Sequence, residues 1–197
     1  MNDPKFKYPD KASYKFVTDY FSSKGVEAED IASITYNIQR NYIFDLTLEE
    51  VQKAVVDVLH KREVLNNAMV GIVLDQFASK NQLPEPLQSI IEKDSGVFGV
   101  DELIAEGGIS GIYGKIATTN FGYLDKEKHG ILKKLDTPTA GSVNTFLDDI
   151  IAAVAAAAGA KIAHAHAWFY TGSYQISNVR ELSFQVNLDG IFMRIRK

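Results

Sequence analysis

Hydrophobic residues recur at helical spacing through the first part of the chain. Apolar positions return every three or four residues between 12 and 41, and the pattern is interrupted at Lys24 and Gly25. This stretch therefore predicts two helices joined by a short turn. Thr47, followed three residues later by Glu50, is typical of a capping box and predicts the start of a third helical segment.

The third helical pattern continues to about Phe77. Because it is longer than a typical globular helix, we expect the chain to break near residues 61–63. Pro84 and Pro86 then predict the start of a short helix, since proline is well tolerated in the first turn. That helix should end close to Gly96.

The middle of the chain is richer in glycine and in acidic residues. Residues 96–141 predict two helices that meet near 118–120. Thr145 and Asp148 have the spacing of a second capping box, which opens a helix rich in alanine. Small side chains on that helix allow a neighbouring helix to approach closely, so we expect it to be central.

The C-terminal tail has a different period. Apolar residues alternate over 182–195 on both sides of Asp189 and Gly190, which predicts a β-hairpin with a two-residue turn. We therefore expect a mainly α fold, a compact multi-helix single domain with a C-terminal β-hairpin. The predicted boundaries are a helical domain over 1–166 and an extension over 167–197.

Composition narrows the classes of protein to consider. The 197 residues are 46% hydrophobic and 23% charged, as in ordinary folded proteins. The absence of cysteine excludes disulfides and thiolate chemistry and fits a reducing cytoplasm. A net charge of −4 argues against a nucleic-acid partner. The N-terminus lacks the apolar core of a signal peptide, and the least polar run, 150–160, is too short to span a bilayer.

Acidic residues cluster near the ends of the predicted helices in the second half of the chain. They are Asp94, Asp101, Glu102, Asp125, Asp136, Asp148 and Asp149. Carboxylates from adjacent helices, together with water and a substrate phosphate, are the ligands that Mg²⁺ prefers. Lys128, Lys133 and Lys134 offer positive charge for a phosphate, and His129 adds a group that titrates near neutrality.

Each of these residues also has a purely structural interpretation. Asp148 and Asp149 suit the first turn of any helix, and acids often simply face water. The spacing of the acids alone does not distinguish a metal-binding cluster from an acidic face that is exposed to water. His164 and His166 are too far along the alanine-rich helix to complete a site with the acids, so we expect them to be exposed or to complement the helix dipole.

The order of the acids carries a family resemblance. Four ordered pieces form it: D-x6-DE (Asp94, Asp101, Glu102), F-x2-LD-x2-K (Phe121, Leu124, Asp125, Lys128), Asp136, and DDI-x-A (Asp148, Asp149, Ile150, Ala152). The set resembles the phosphatidylglycerophosphatase A family over residues 90–155. Within that family the chain is most similar to a soluble branch that includes low-temperature-requirement C-like proteins.

The resemblance implies a function. The family hydrolyses phosphatidylglycerophosphate to phosphatidylglycerol and phosphate with Mg²⁺. The resemblance also assigns roles to residues of this chain, and Asp94 and Asp136 are second choices after those named next. The implied metal ligands are Asp101, Glu102, Asp125, Asp148 and Asp149, and the implied catalytic residues are Asp125, Asp149 and Lys128.

The implied partner is a phospholipid headgroup or another phosphorylated small molecule. We expect a cytoplasmic protein without a transmembrane segment. A peripheral location at the membrane surface and assembly into a homo-oligomer are both compatible with the sequence. Two alternatives to the lipid phosphatase also stay open. One is a phosphatase for a soluble phosphomonoester, and the other is a non-catalytic helical metal-binding or scaffold protein.

Overall fold

A computed structural model describes residues 6–137, 139 and 141–172, with side chains described up to residue 166. This part of the chain is mainly helical, as predicted. The α-helices are α1 (Asp10–Ser23), α2 (Ala28–Gln39), α3 (Leu48–Leu59), α4 (Arg62–Ser79), α5 (Leu87–Glu92), α6 (Val100–Gly108), α7 (Lys115–Glu127), α8 (Ile131–Asp136) and α9 (Leu147–Gly172). The predicted hairpin over 182–195 lies outside the described residues.

Helix α9 forms the centre of a single hydrophobic core. Its alanine run, residues 152–158, is buried, and α2, α3 and α7 pack around it. Gly159 permits a close approach of α2, since a Cβ atom there would lie 2.9 Å from Gln39 Nε2. The Thr35 hydroxyl on α2 also donates to the Ala155 carbonyl at 3.1 Å. The expectation that small side chains make this helix central is confirmed.

The breaks predicted in the first half are also confirmed. Lys24 and Gly25 separate α1 from α2, and the long pattern divides between Leu59 and Arg62. The Thr47 hydroxyl caps α3 by accepting the Glu50 N–H at 3.2 Å. No helix in the part of the chain that the structure describes is both long and apolar enough to cross a membrane.

The predicted junction near 118–120 was wrong. Those residues lie inside α7, because Ala117, Phe121 and Leu124 are buried at helical spacing and pack into the core. The actual break comes earlier, at a short 3₁₀ helix over Ser110–Tyr113. Gly114 follows it with a φ of +83°, a backbone conformation that glycine adopts readily and other residues rarely do.

Candidate metal centre

Three helix ends bring five of the acidic residues to one place. Asp101 and Glu102 lie in the first turn of α6, and Asp148 and Asp149 lie in the first turn of α9. Asp125 lies in the last turn of α7, which packs along α9. First-turn carboxylates are favoured by the positive end of the helix dipole. The same local preference that stabilises these helix starts therefore concentrates negative charge at their meeting point.

Lys128 joins the end of α7 to α8 and to the first turn of α9. It ends α7 in the left-handed conformation, with a φ of 44°, and its side chain is 22% exposed. Its Nζ lies 2.5 Å from Asp148 Oδ2 and 2.9 Å from Asp125 Oδ1. Asp136 and Asp149 are further away, at 3.6 and 3.7 Å. The ammonium group is therefore shared by carboxylates from three helices.

Three carboxylates next to this ion-pair cluster have the arrangement of a cation site. One oxygen from each of Asp101, Glu102 and Asp149 lies within 4.8 Å of the others. Asp101 Oδ1 and Glu102 Oε2 are buried and have no hydrogen-bond partner among the described residues. Buried carboxylate oxygens normally have a partner, and a hard divalent cation prefers such ligands. The donor set therefore fits Mg²⁺.

The carboxylates at this site hold protons more tightly than usual. Burial, together with the neighbouring charge of Asp148, raises the pKa of Asp149 to about 9. Burial also raises the pKa of Asp101 to about 7, helped by the neighbouring carboxyl group of Glu102, and raises that of Asp148 to about 6 although Lys128 opposes the shift. The pKa of Lys128 itself is raised by its carboxylates, although its burial acts in the other direction. These shifts reflect a site that holds more carboxyl groups than one lysine can balance, so that some of them keep their protons near neutral pH.

A cavity of about 440 Å³ opens beside the cluster. Asp136 and Asp148, which both contact Lys128, form part of its wall together with Asp94. The rest of the wall includes hydroxyl and amide side chains, among them Ser142 and Asn144. This volume suits a small polar molecule.

Other residues singled out from the sequence lie elsewhere. Lys133 and Lys134 are exposed on α8, and His129 lies 3.9 Å from Glu127. His164 is exposed as expected. His166 is not exposed, because its side chain lies against α3 and its Nε2 is 2.8 Å from a carboxylate oxygen of Glu50. The chain packs α3 against α9 closely enough to form this pair.

The predicted capping box at Thr145 and Asp148 was also wrong. The Thr145 hydroxyl donates to the Ile91 carbonyl at 2.7 Å, and Asp148 is paired with Lys128. The N–H groups that start α9 are instead bound by Asp75, a residue of α4 that the sequence analysis missed. Its Oδ2 accepts the Leu147 N–H at 3.0 Å, and the side chain is fully buried.

A signal for Asp75 is present in the sequence. The buried face of α4 includes Val64, Ala68, Ile72 and Asp75, so the acid falls on an otherwise apolar stripe. A charged residue on such a stripe is unusual unless it is paired. Burial raises the pKa of Asp75 well above its ordinary value, although the N–H donors at the start of α9 oppose that shift.

Known proteins resemble this chain over most of its length. The family model of phosphatidylglycerophosphatase A matches residues 25–164. The uncharacterized protein YpjQ of Bacillus subtilis is 46% identical over 160 residues, which cover 81% of this chain and 89% of that protein. The uncharacterized protein YutG of the same organism is 48% identical over 141 residues, covering 72% of this chain and 84% of YutG.

Solved structures of related proteins are similar to this chain in both fold and sequence. The crystal structure of the low temperature requirement C protein from Listeria monocytogenes has a TM-score of 0.76 and 44% identity. The match covers 79% of this chain and 98% of that one. The matched family segment contains all seven acids and Lys128. The chain belongs to the phosphatidylglycerophosphatase A family.

Proposed function

We propose that this protein is a Mg²⁺-dependent phosphatase that removes the terminal phosphate of a phosphatidylglycerophosphate-like phospholipid. The observation that carries the proposal is the trio of Asp101, Glu102 and Asp149, whose oxygens lie within 4.8 Å of one another. Two of those carboxylates present buried oxygens without a hydrogen-bond partner among the described residues. Family membership supplies the reaction class.

In this proposal Asp101, Glu102 and Asp149 hold the cation, and Asp148 completes the ligand set from the same turn of α9. Mg²⁺, when bound, draws electron density from the phosphoryl oxygens and favours in-line attack by water. Asp125 is more exposed than Asp148 and Asp149, with a side chain 34% exposed. Its position at the rim suits it to orient the attacking water.

Lys128 has two tasks in this proposal. Without substrate, it offsets the repulsion among the carboxylates that it contacts. With substrate, it supplies the positive charge that faces the phosphate, since two of its partners, Asp136 and Asp148, line the cavity. An ammonium group has three protons to donate, so both sets of contacts are compatible with its chemistry.

Exposed apolar residues beside the acids favour a lipid substrate over a soluble one. Val100 and Leu103 flank Asp101 and Glu102 on α6, and Leu103 is 66% exposed. Val97, which precedes the helix, is 94% exposed. Helix α4, which packs against α6, also carries three exposed apolar side chains, Val70, Val73 and Phe77. We call these six residues the apolar rim.

If the substrate is a phospholipid, the apolar rim would contact the membrane that contains it. The 440 Å³ cavity holds a headgroup, but not two acyl chains as well. The acyl chains would then stay in the bilayer, and the apolar rim would contact its surface. In this proposal the protein is peripheral to the membrane.

Phosphate release from a panel of substrates tests the proposal. The panel contains phosphatidylglycerophosphate in vesicles, glycerol phosphate and a sugar phosphate, each with Mg²⁺ or with EDTA. Mg²⁺-dependent release from the lipid supports the proposal. Release from the soluble compounds alone would favour the soluble phosphatase, and no release from any of them would favour the non-catalytic metal-binding protein.

A further inference from the structure

The start of α9 is held by a side chain from another helix. Asp75 of α4 accepts the Phe146 N–H through Oδ1 at 3.2 Å and the Leu147 N–H through Oδ2 at 3.0 Å. Asp75 is 0% exposed. Most helix N-termini are capped by a residue next to them in the chain, whereas this cap comes from 72 positions away.

Gly71, one turn before Asp75 on α4, lies in close contact with the start of α9. A Cβ atom on Gly71 would lie 2.8 Å from Ile150 Cδ1 and 3.0 Å from Phe146 Cβ. Real Cβ atoms essentially never come as close as 2.8 Å, so an alanine here would force the Ile150 side chain to move and Phe146 to shift by a few tenths of an ångström. We call Asp75 and Gly71 the α9 anchor.

The segment before α9 is tied down as well. The Thr145 hydroxyl donates to the Ile91 carbonyl, and the Val143 N–H donates to the Ser79 hydroxyl at 2.8 Å. Lys24 donates to Asn144 Oδ1 at 2.9 Å. These bonds already restrain the entry into α9, and a neutral side chain would cap the helix without the desolvation cost of a buried carboxylate. The buried carboxyl group of Asp75 therefore calls for a reason beyond capping.

We infer that Asp75 is a positioning residue, which holds the first turn of α9 so that Asp148 and Asp149 stand at the correct distance from Asp101 and Glu102. The inference rests on the proposed metal centre. Asp148 directly follows Leu147, whose N–H is bound by Asp75. Metal coordination tolerates ligand displacements of only about 0.2 Å, so a small shift of this turn weakens binding without removing a ligand.

Two variants disturb the α9 anchor by different routes. Asp75→Asn replaces one accepting oxygen by an NH₂ group that faces N–H donors. Gly71→Ala keeps Asp75 but pushes α4 away from Phe146 and Ile150. Each has a matched control, Thr47→Ala at the cap of α3 and Gly122→Ala on α7, where an added Cβ meets nothing within 4 Å.

Mn²⁺ binding, followed by the paramagnetic resonance of free Mn²⁺, measures the effect independently of turnover. Both anchor variants should raise the Mn²⁺ dissociation constant by roughly 10-fold or more, the usual effect of losing a residue that orients metal ligands. The two controls should bind Mn²⁺ like the parent. Circular dichroism verifies that each variant is folded at room temperature.

The outcomes separate this inference from the proposed function. Parent-like Mn²⁺ affinity in a folded Asp75→Asn protein would overturn the inference alone, as would a failure of both anchor variants to fold. If the anchor variants bind Mn²⁺ more weakly as expected, but the parent protein hydrolyses no phosphomonoester, the inference is retained and the proposed function is wrong. A parent that binds no Mn²⁺ would overturn both.

Discussion

The ammonium of Lys128 lies 2.5 Å from a carboxylate oxygen of Asp148, and this ion pair joins the end of α7 to the first turn of α9. The two side chains are 22% and 6% exposed. A largely buried ion pair is seldom the most stable solution, because both charges lose their hydration. Its presence at the meeting point of three helix ends fits a site whose charges serve binding and chemistry.

Asp149→Asn should abolish Mg²⁺-dependent phosphatase activity while the protein stays folded. Asn keeps the shape of the side chain but removes the charge that a hard cation needs. Because Asp149 is buried among other carboxylates, the metal-free variant should melt at the same temperature as the parent or higher. Activity and thermal melting are measured on one preparation, with Asp19→Asn, an exposed acid on α1, as the control.

A purely structural role for Asp149 predicts the opposite pair of results. A residue that only supports a helix start contributes about 1 kcal/mol to the free energy of unfolding and nothing to turnover. Retained turnover with a lowered melting temperature would therefore remove Asp149 from the proposed ligands.

Lys128→Gln should weaken phosphate binding more than it slows the chemical step. Loss of one charged hydrogen bond to a phosphate raises KM about 10-fold or more. The variant should also be less stable by about 3 kcal/mol, since Asp148 is left buried without its partner. Kinetics on a soluble phosphomonoester and thermal melting measure both effects, and Lys15→Gln, in an exposed pair, is the control. An unchanged KM would exclude Lys128 from phosphate binding.

The positions of the acids at helix ends were predicted better than the contacts between helices that hold those ends in place. The acids and Lys128 are close in sequence to helix ends, so local rules placed them at those ends, and the family resemblance indicated that they meet. Asp75 caps α9 from a different helix; its place on the apolar stripe of α4 marks it as a buried acid, but neither that pattern nor the resemblance identifies its partner. The pairing of His166 with Glu50 was missed for the same reason.

Helix boundaries show the same limit. The breaks near Lys24 and near residues 61–63 were predicted, because glycine or excessive length marks them. The junction placed at 118–120 failed, since burial of Phe121 and Leu124 against α9 favours a continuous helix there. Tertiary packing overrides weak local preferences in such cases.

Removal of metal should make stability depend on pH. The pKa values of Asp149, Asp101 and Asp148 are raised to about 9, 7 and 6, so the folded protein binds more protons than the unfolded chain above about pH 4. In EDTA, this contribution to stability is complete below pH 4 and is lost as the pH rises towards 9. Thermal melts from pH 5 to 9 should therefore show a falling melting temperature.

Mg²⁺ should reverse that trend. Ionised carboxylates bind the cation and protonated ones do not, so the stabilisation by Mg²⁺ should grow as the pH rises. The comparison uses the same buffers with Mg²⁺ in place of EDTA. A Mg²⁺ effect that is equal at pH 5 and pH 8.5 would contradict the assignment of these carboxylates as ligands.

Polar substitution in the apolar rim should reduce activity on vesicles only. Leu103→Ser and Val97→Ser remove exposed apolar surface beside the acids without touching the proposed ligands. Co-sedimentation with anionic phospholipid vesicles and hydrolysis of vesicle lipid should both decrease, while hydrolysis of a soluble phosphomonoester stays the same. Phe44→Ser, at a fully exposed residue between α2 and α3, is the matched control. Unchanged vesicle binding, with a change of oligomeric state instead, would assign the rim to contact between copies of the chain.

The most direct test of the metal-dependent phosphatase is the release of inorganic phosphate from phosphatidylglycerophosphate in vesicles. The parent protein and Asp149→Asn are assayed side by side, each with Mg²⁺ and with EDTA. We predict release by the parent with Mg²⁺, none with EDTA, and a loss of about 100-fold or more in the variant. Equal release by parent and variant, or by the parent with and without Mg²⁺, would contradict the account.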